Sequence, residues 1–600
     1  MDAADERHPG RPWLKHLLVP AVIMALIGIF PQVSLWLSKE APWQGSYFVS
    51  NYDEVAYSAY VNALVEGKPR LTDPFVTGES APQESLYSIQ FIPAYSIAVP
   101  ARLFGLSTST TFILLSVLFA IASSAALFWF IYTVTGQQLI AGAGVLVVLC
   151  LGTAVAYQGE LRYLIEGQVL IDFLPFLRRY QPGFAFPLFF VFCGLTWHSF
   201  TKGGARSRLI FGAASGVLLA VLVFSYFYLW TAAAAWLACL TILFLVGRKN
   251  DRWRVAQPAA VIAAIGLFSL VPYFMMLSNR SVNVDSTQLL SMTHAPSFDS
   301  PSMILGVIIF IAACLLAYFG RVNGRDPMVL LAISFALTPI ALFNQQILTG
   351  RSLQPVHYEI FIANYMVLTA AVLLATAWLS SADDNVDAKF GKVATYAAAF
   401  AVIWGSVEAA APTSRNMLYA VMRDESIAAI DRIERDISPG TPTPTVLATN
   451  FITSDFIPSI STFRPLWNPH TSSAGGISVD ENRRLFYLYL FYSGFTPNDL
   501  SEALKANSFE VTSAIFGAER ALPQLGEGSA IMPADIQSEV QKFAEFVRGF
   551  DQKQASDPTL SYMIVPAKAV PDLTNLDRWY QRDQGSVTGM FMVYRLQPKF

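Results

Sequence analysis

The chain has 600 residues, of which 54% are hydrophobic, 13% aromatic and only 14% charged. Soluble globular chains carry about 25% charged residues, so a deficit of this size excludes an ordinary soluble protein. The net charge of −3 and the lack of any basic block give no footing for a nucleic-acid partner.

Apolar runs near the ~20 residues that cross a bilayer recur from the N-terminal region to about residue 411. Arg7, Arg11 and Lys15 place the N-terminus inside, by the bias of basic residues toward the cytoplasm. Span 1 is about Leu17 to Leu37, without a small-residue cleavage site, and reads as an uncleaved first helix. A long outer loop of about residues 38–110 follows, then span 2 near Thr111–Tyr132 and span 3 near Leu139–Tyr157. Gln158–Pro182 lies outside, and span 4 near Gly183–Phe200 returns to the basic stretch Thr201–Arg208.

A second basic stretch starts at Gly247, and Leu209–Val246 between the two is almost uncharged. One helix at about 1.5 Å per residue cannot use that length, so two spans form a tight hairpin there. Span 7 is near Ala256–Leu277, span 8 near Met303–Phe319, span 9 near Met328–Phe343, span 10 near Tyr358–Leu379 and span 11 near Val393–Ala411. Eleven spans from an inside start put the tail on the outer face.

The tail changes character. Arg423–Ile437 reads as an amphipathic helix, the Pro/Thr-rich Ser438–Thr445 as a linker, and "VLAT", "YMIVPA" and "MFMVYRL" as short strands. The expected architecture is a polytopic α-helical membrane protein, with a transmembrane domain at 1–411 and a soluble α/β domain at 412–600 on the outer face. The four cysteines, Cys150, Cys193, Cys239 and Cys314, all sit in apolar segments without C-x-x-C spacing, so no zinc site or disulfide framework is indicated.

Three stretches carry the polar residues that chemistry needs. The first is "SNYDEVAYSAYVNALVEG" (Ser50–Gly67), a helix from about Tyr52 to Glu66 stopped by Gly67 and Pro69. Asn51 with Glu54, or Ser50 with Asp53, fits a capping box, so either acid has a purely structural reading. A carboxylate at a helix N-terminus also stays ionised and can accept a proton from, or orient, a hydroxyl or amine.

The second stretch holds Arg178 and Arg179 at the outer mouth of span 4. Paired arginines outside run against the positive-inside bias, and their forked donors suit phosphate. Snorkelling or pairing with Glu160, Arg162, Glu166 and Asp172 of the same loop is the structural alternative. The third, Asn344–Tyr365, crowds Gln345, Gln346, Arg351, Gln354, His357 and Glu359 between spans 9 and 10, a density typical of a lined cavity. His294 and His470 read as ordinary loop residues. Trp467–Arg484 reads as a surface loop leading into a helix, with a role in selecting an acceptor as its functional alternative.

Asp53, Glu54, Tyr57 and Gly67, directly after a first span, resemble the first outer loop of GT-C glycosyltransferases, closest to the lipid A aminoarabinose transferase and protein O-mannosyltransferase-like group. Gly67 comes about one residue earlier than that pattern. The layout of many spans, a long first loop and a soluble outer domain is similar too. The resemblance implies transfer of a sugar from a polyprenyl-phosphate donor to an acceptor on the outer face, by single displacement with inversion. It implies Asp53 as base or acceptor-orienting group, with Glu54 second. Arg178, Arg179 and Arg351 are candidates for the lipid phosphate, and Tyr57, Gln354 and His357 for the sugar. A divalent cation on Asp53 and Glu54 lacks a third ligand, so no metal site is assigned. Lipid-linked donor and membrane lipids are the expected partners, and a bacterial inner membrane with a cytoplasmic N-terminus is the expected location. The competing readings are a flippase for a lipid-linked intermediate, for which paired repeats and broken spans are missing, and a polysaccharide polymerase or ligase.

Overall fold

A computed structural model describes residues 12–39, 41–76, 83–169, 171–247, 252–281, 284–285, 288–380, 386–438, 440–474, 476–522 and 529–600. Nine helices among the described residues are long and apolar enough to cross a membrane, and two shorter apolar ones, Ala185–Thr201 and Pro327–Leu342, join them. Each of the eleven expected spans falls on one of these helices. The uncharged stretch after Arg208 is indeed a hairpin, Ala205–Val223 and Phe227–Gly247, turning on Phe224–Tyr226. The first loop adds a helix that hydropathy alone did not announce, Phe91–Leu103. The eleventh apolar helix does not stop at Ala411: it runs unbroken from Val386 to Asp436 through Pro412, so Arg423–Ile437 is mostly its continuation rather than a separate element.

Apolar side chains dictate how these helices pack. Phe186, Phe189, Phe190 and Phe192 on one span, with Trp236 and Phe335 on neighbours, are all fully buried in one continuous core. In a bilayer the alternative to this packing is lipid as apolar as the rings themselves, so close van der Waals contact holds the helices together. Gly194 has no room for a Cβ, because the Trp129 ring occupies that space.

The C-terminal domain contains a small mixed sheet. Its strands are β1 (Thr445–Ala448), β2 (Arg464–Pro465), β3 (Tyr562–Pro566), β4 (Tyr580–Arg582), β5 (Ser586–Thr588) and β6 (Phe591–Pro598). The order is β2-β1-β3-β6-β4, with β5 also on β6. β1 runs parallel to β3 with Val446 opposite Tyr562, and β3 antiparallel to β6 with Ile564 opposite Val593.

Two joints seat this domain on the first loop. The carboxylate of Asp424, fully buried, accepts from the backbone N–H groups of Gln44 and Ser46 at 2.9 Å each and also pairs with Lys39. Ser58 donates to Ser459 at 2.8 Å, and Asn62 donates to the carbonyls of Pro458 and Ser461. The helix Asp53–Val65 is therefore sandwiched between the apolar bundle and the C-terminal domain. That position is what forms the cavity.

Candidate active site

Neither expected capping box forms at the start of the helix Asp53–Val65: the Asn51 side chain accepts from the Asp53 N–H at 3.2 Å, and Glu54 reaches back to the N–H of Ser50 instead of that of Asn51. Its two acids part at once. Glu54 turns into the protein, 1% exposed, where Arg179 donates to it from Nε at 2.9 Å, from Nη2 at 2.5 Å and from its backbone N–H at 2.9 Å. Its second duty is local, accepting the Ser50 N–H at 2.9 Å. Arg179 Nη2 also reaches the Phe48 carbonyl, so the pair rivets the loop to the segment before span 4. A buried ion pair with its remaining donors satisfied is structural machinery.

Asp53 faces the other way. Its side chain is 46% exposed, and its Oδ2 accepts from Nη1 of Arg178 at 2.5 Å. Arg178 is buried, and its other donors reach the Gln181 carbonyl at 2.6 Å and the Tyr226 hydroxyl at 3.3 Å. Its guanidinium lies over the ring of Phe361 at 4.5 Å and that of Tyr57 at 5.4 Å. The turn that aims the two arginines in different directions places Tyr180 at φ +80°, a conformation non-glycine residues rarely adopt. Tyr180 holds it by stacking on Tyr57 at 4.8 Å while fully buried.

Asp53, Tyr57 and Arg178 share the wall of a cavity of about 320 Å³ with Gln354 and His357. Its ceiling comes from the C-terminal domain, through Pro469, His470, Ser472, Ser473, Phe509 and Ser513. Burial pushes the phenols of Tyr52 and Tyr57 well above their ordinary range, with the nearby carboxylates of Asp455, Glu510 and Asp53 adding to the effect on Tyr52. Both stay neutral donors at any working pH. Such a cavity, in which aromatic and aliphatic side chains alternate with convergent polar groups, has the form of a small-molecule site.

Three sequence candidates lie outside it. Glu54 and Arg179 are consumed by each other, as described. Arg351 is exposed and lies off the cavity wall: the chain turns at Gly350, and the Arg351 carbonyl accepts from Gln345 at 2.8 Å. Of the arginines offered for the lipid phosphate, Arg178 alone joins Asp53 on the cavity wall, and Arg179 and Arg351 do not. Glu359, from the same polar loop, instead accepts from the N–H of Ser302 at 2.9 Å and from the hydroxyls of Ser300 and Ser302, at the start of the helix Pro301–Tyr318. Glu160 and Asp172 pair with Arg415, and Glu166 with Arg162, rather than with Arg178 or Arg179. Asp53 and Glu54 each hold a guanidinium and point apart, so they do not fit a shared cation, and no group of three His, Cys, Asp or Glu side chains among the described residues does.

His470, which reads as an ordinary loop residue in sequence, lines the same cavity, as do Tyr226 and Tyr228, for which the sequence carries no signal. The stretch Trp467–Arg484 is not simply a surface loop: Trp467 is fully buried and His470 is 4% exposed. The one local signal was its density of aromatic and turn residues before a helix.

No protein-family model matches the chain, and no curated protein sequence does. Among solved structures it is similar to the oligosaccharyltransferase of Archaeoglobus fulgidus in the apo form, at 12% identity and TM-score 0.46, covering 96% of this chain and 74% of that one. The same archaeal protein in complex with Zn and sulfate gives 14% identity and TM-score 0.45, covering 96% and 72%. ArnT from Cupriavidus metallidurans in the apo state gives 11% identity and TM-score 0.43, covering 97% of this chain and 98% of that one.

Proposed function

We propose that this protein is a membrane glycosyltransferase of the GT-C type, moving a sugar from a polyprenyl-phosphate donor to an acceptor hydroxyl or amine on the outer face of a bacterial inner membrane. The observation that carries this reading is the Asp53–Arg178 pair, 2.5 Å apart, on the wall of a cavity bounded by apolar helices on one side and a soluble domain on the other. An amphiphilic donor needs both surroundings at once.

Arg178 is the group for the lipid phosphate, since a guanidinium fork donates two bonds to a phosphate and balances the charge that develops as it leaves. Desolvated among Phe361, Tyr57 and Tyr226, its charge is little screened. A phosphate that takes the Nη1 donor releases Asp53, whose freed carboxylate then accepts a hydrogen bond from the acceptor nucleophile and orients it. The nucleophile bonds to the anomeric carbon, the bond from that carbon to the phosphate oxygen breaks on the opposite face, and the configuration inverts. Gln354, His357 and Tyr57 offer hydrogen-bonding groups for the sugar.

The test is sugar transfer in detergent from radiolabelled polyprenyl-phosphate monosaccharides, wild type against Asp53→Asn. Wild-type transfer that the variant has lost supports the reading, and full activity in the variant removes the role of Asp53. Absence of transfer together with transport in vesicles would favour a flippase.

A further inference from the structure

His470 sits on the domain side of the cavity, and its surroundings are those of a working imidazole. The side chain belongs to the turn Pro469–Ser473, whose geometry is set by Asn468 accepting from the Thr471 N–H at 3.0 Å. Asp455 approaches from the helix Phe451–Ile460, and both its carboxylate oxygens lie 2.8 Å from Nδ1 of His470. Each partner's side chain is 5% exposed. Ser454, beside Asp455, donates to the Trp467 carbonyl at 2.5 Å and locks helix and turn together.

The ring is clamped face to face by Tyr52 at 4.3 Å and by Phe75 at 5.4 Å. Tyr52 precedes Asp53 in the chain, so the imidazole stacks on the immediate neighbour of the carboxylate already assigned to the acceptor. A carboxylate is an acceptor only, which puts a hydrogen on Nδ1 of His470, and in the neutral ring the lone pair is then on Nε2. Nε2 is buried and has no hydrogen-bond partner among the described residues. A buried polar atom left unsatisfied is costly and calls for an explanation. His470 is among the residues that line the cavity, and a ligand bound there is the candidate partner for this nitrogen.

We propose that the His470–Asp455 pair is a catalytic dyad that takes the proton of the acceptor, an inference that rests on the transferase reading above. As the acceptor oxygen or nitrogen bonds to the anomeric carbon, its hydrogen passes to Nε2 of His470. The electron pair of the breaking carbon–oxygen bond leaves with the polyprenyl phosphate. The imidazolium is balanced by Asp455, and Asp53 keeps the orienting role. The acceptor class that follows is one with a neutral O–H or N–H donor at its reactive atom. An acceptor already anionic there would gain nothing from Nε2.

The probes are a radiolabelled polyprenyl-phosphate monosaccharide and octyl glucoside as hydroxyl acceptor, with sugar released to water counted as well. His470→Ala lowers transfer by about 10²–10⁴-fold, the usual range for a general base. It leaves donor affinity by filter binding within about twofold, because the donor phosphate sits on Arg178. Added imidazole restores part of the lost rate in His470→Ala, which a purely structural histidine does not permit. Asp455→Asn, close to isosteric, loses at least about tenfold by disturbing the tautomer. Transfer in His470→Ala within about twofold of wild type, or a loss that imidazole leaves untouched while the thermal midpoint falls, overturns the dyad and leaves the transferase reading standing. A wild type inert with every donor removes both.

Discussion

Arg178 donates from Nη1 to Oδ2 of Asp53 over 2.5 Å, while the next residue, Arg179, closes on Glu54 in the opposite direction. Two adjacent acids and two adjacent arginines thus form two parallel pairs with different fates. One faces a cavity with a half-exposed carboxylate, and the other is sealed in the interior. This division of labour makes the two acids separable by experiment.

Asp53→Asn keeps the shape of the side chain and removes its charge. Sugar transfer is expected to fall by about 10²-fold or more, as when a group that orients the nucleophile is lost. Arg178, only 4% exposed, loses its counter-ion, so the thermal midpoint in detergent falls as well, but by less than in Glu54→Gln, because the Asp53 carboxylate is 46% exposed. Turnover and thermal denaturation measured on one preparation check both halves.

Glu54→Gln acts chiefly on stability. It leaves the Arg179 guanidinium buried without its counter-ion, a defect of about 3–5 kcal/mol. The expected result is a clear drop in thermal midpoint and in yield of folded protein. Adding Arg179→Met to Glu54→Gln recovers part of the loss, because no uncompensated charge then remains.

Arg178→Lys keeps the charge but replaces the fork by a single ammonium. Contacts to Asp53, Asn51, Tyr226 and the Gln181 carbonyl cannot all be kept. The KM for a polyprenyl-phosphate donor is expected to rise by about tenfold, corresponding to about 1.4 kcal/mol of lost donor binding. A donor titration with the acceptor fixed measures it.

Alkaline pH offers a test of the aromatic wall. Burial holds the Tyr57 phenol in the folded protein above the ordinary value of about 10 that it has when unfolded. A raised folded pKa contributes stability that is fully present below about pH 10 and lost as pH rises beyond it, since only the unfolded chain then sheds the proton. Thermal midpoints are therefore expected to fall above about pH 10, and Tyr57→Phe to flatten that fall. An unchanged slope in Tyr57→Phe would show that its phenol ionises freely in the folded state.

Much of the architecture was legible in the chain because its signals are local. Lengths of apolar runs and placement of basic residues identify eleven apolar helices, nine of them membrane-length among the described residues, and Gly67 ends the first-loop helix within a residue or two of its expected stop. The position of Arg178 and Arg179 outside the fourth span marked them as residues with a purpose. Which purpose could not be read, because their partners lie 125 residues away in sequence, and only packing decides that neighbouring guanidinia point apart. Arg351 shows the same limit from the other side: a polar loop advertised a cavity, and the turn at Gly350 left its arginine in solvent while Gln354 and His357 reached the wall.

The sequence by itself determined that the chain crosses a membrane many times, that a helix starts at Asp53, and that acids and arginines gather near the membrane surface, because hydropathy and capping act over a few residues. The tertiary structure alone decided that Asp53 rather than Glu54 faces the cavity, and that His470, an ordinary loop residue by its sequence, is buried against Asp455 on the far wall. Those assignments depend on a first-loop helix wedged between the apolar bundle and the C-terminal domain, a contact no local pattern encodes.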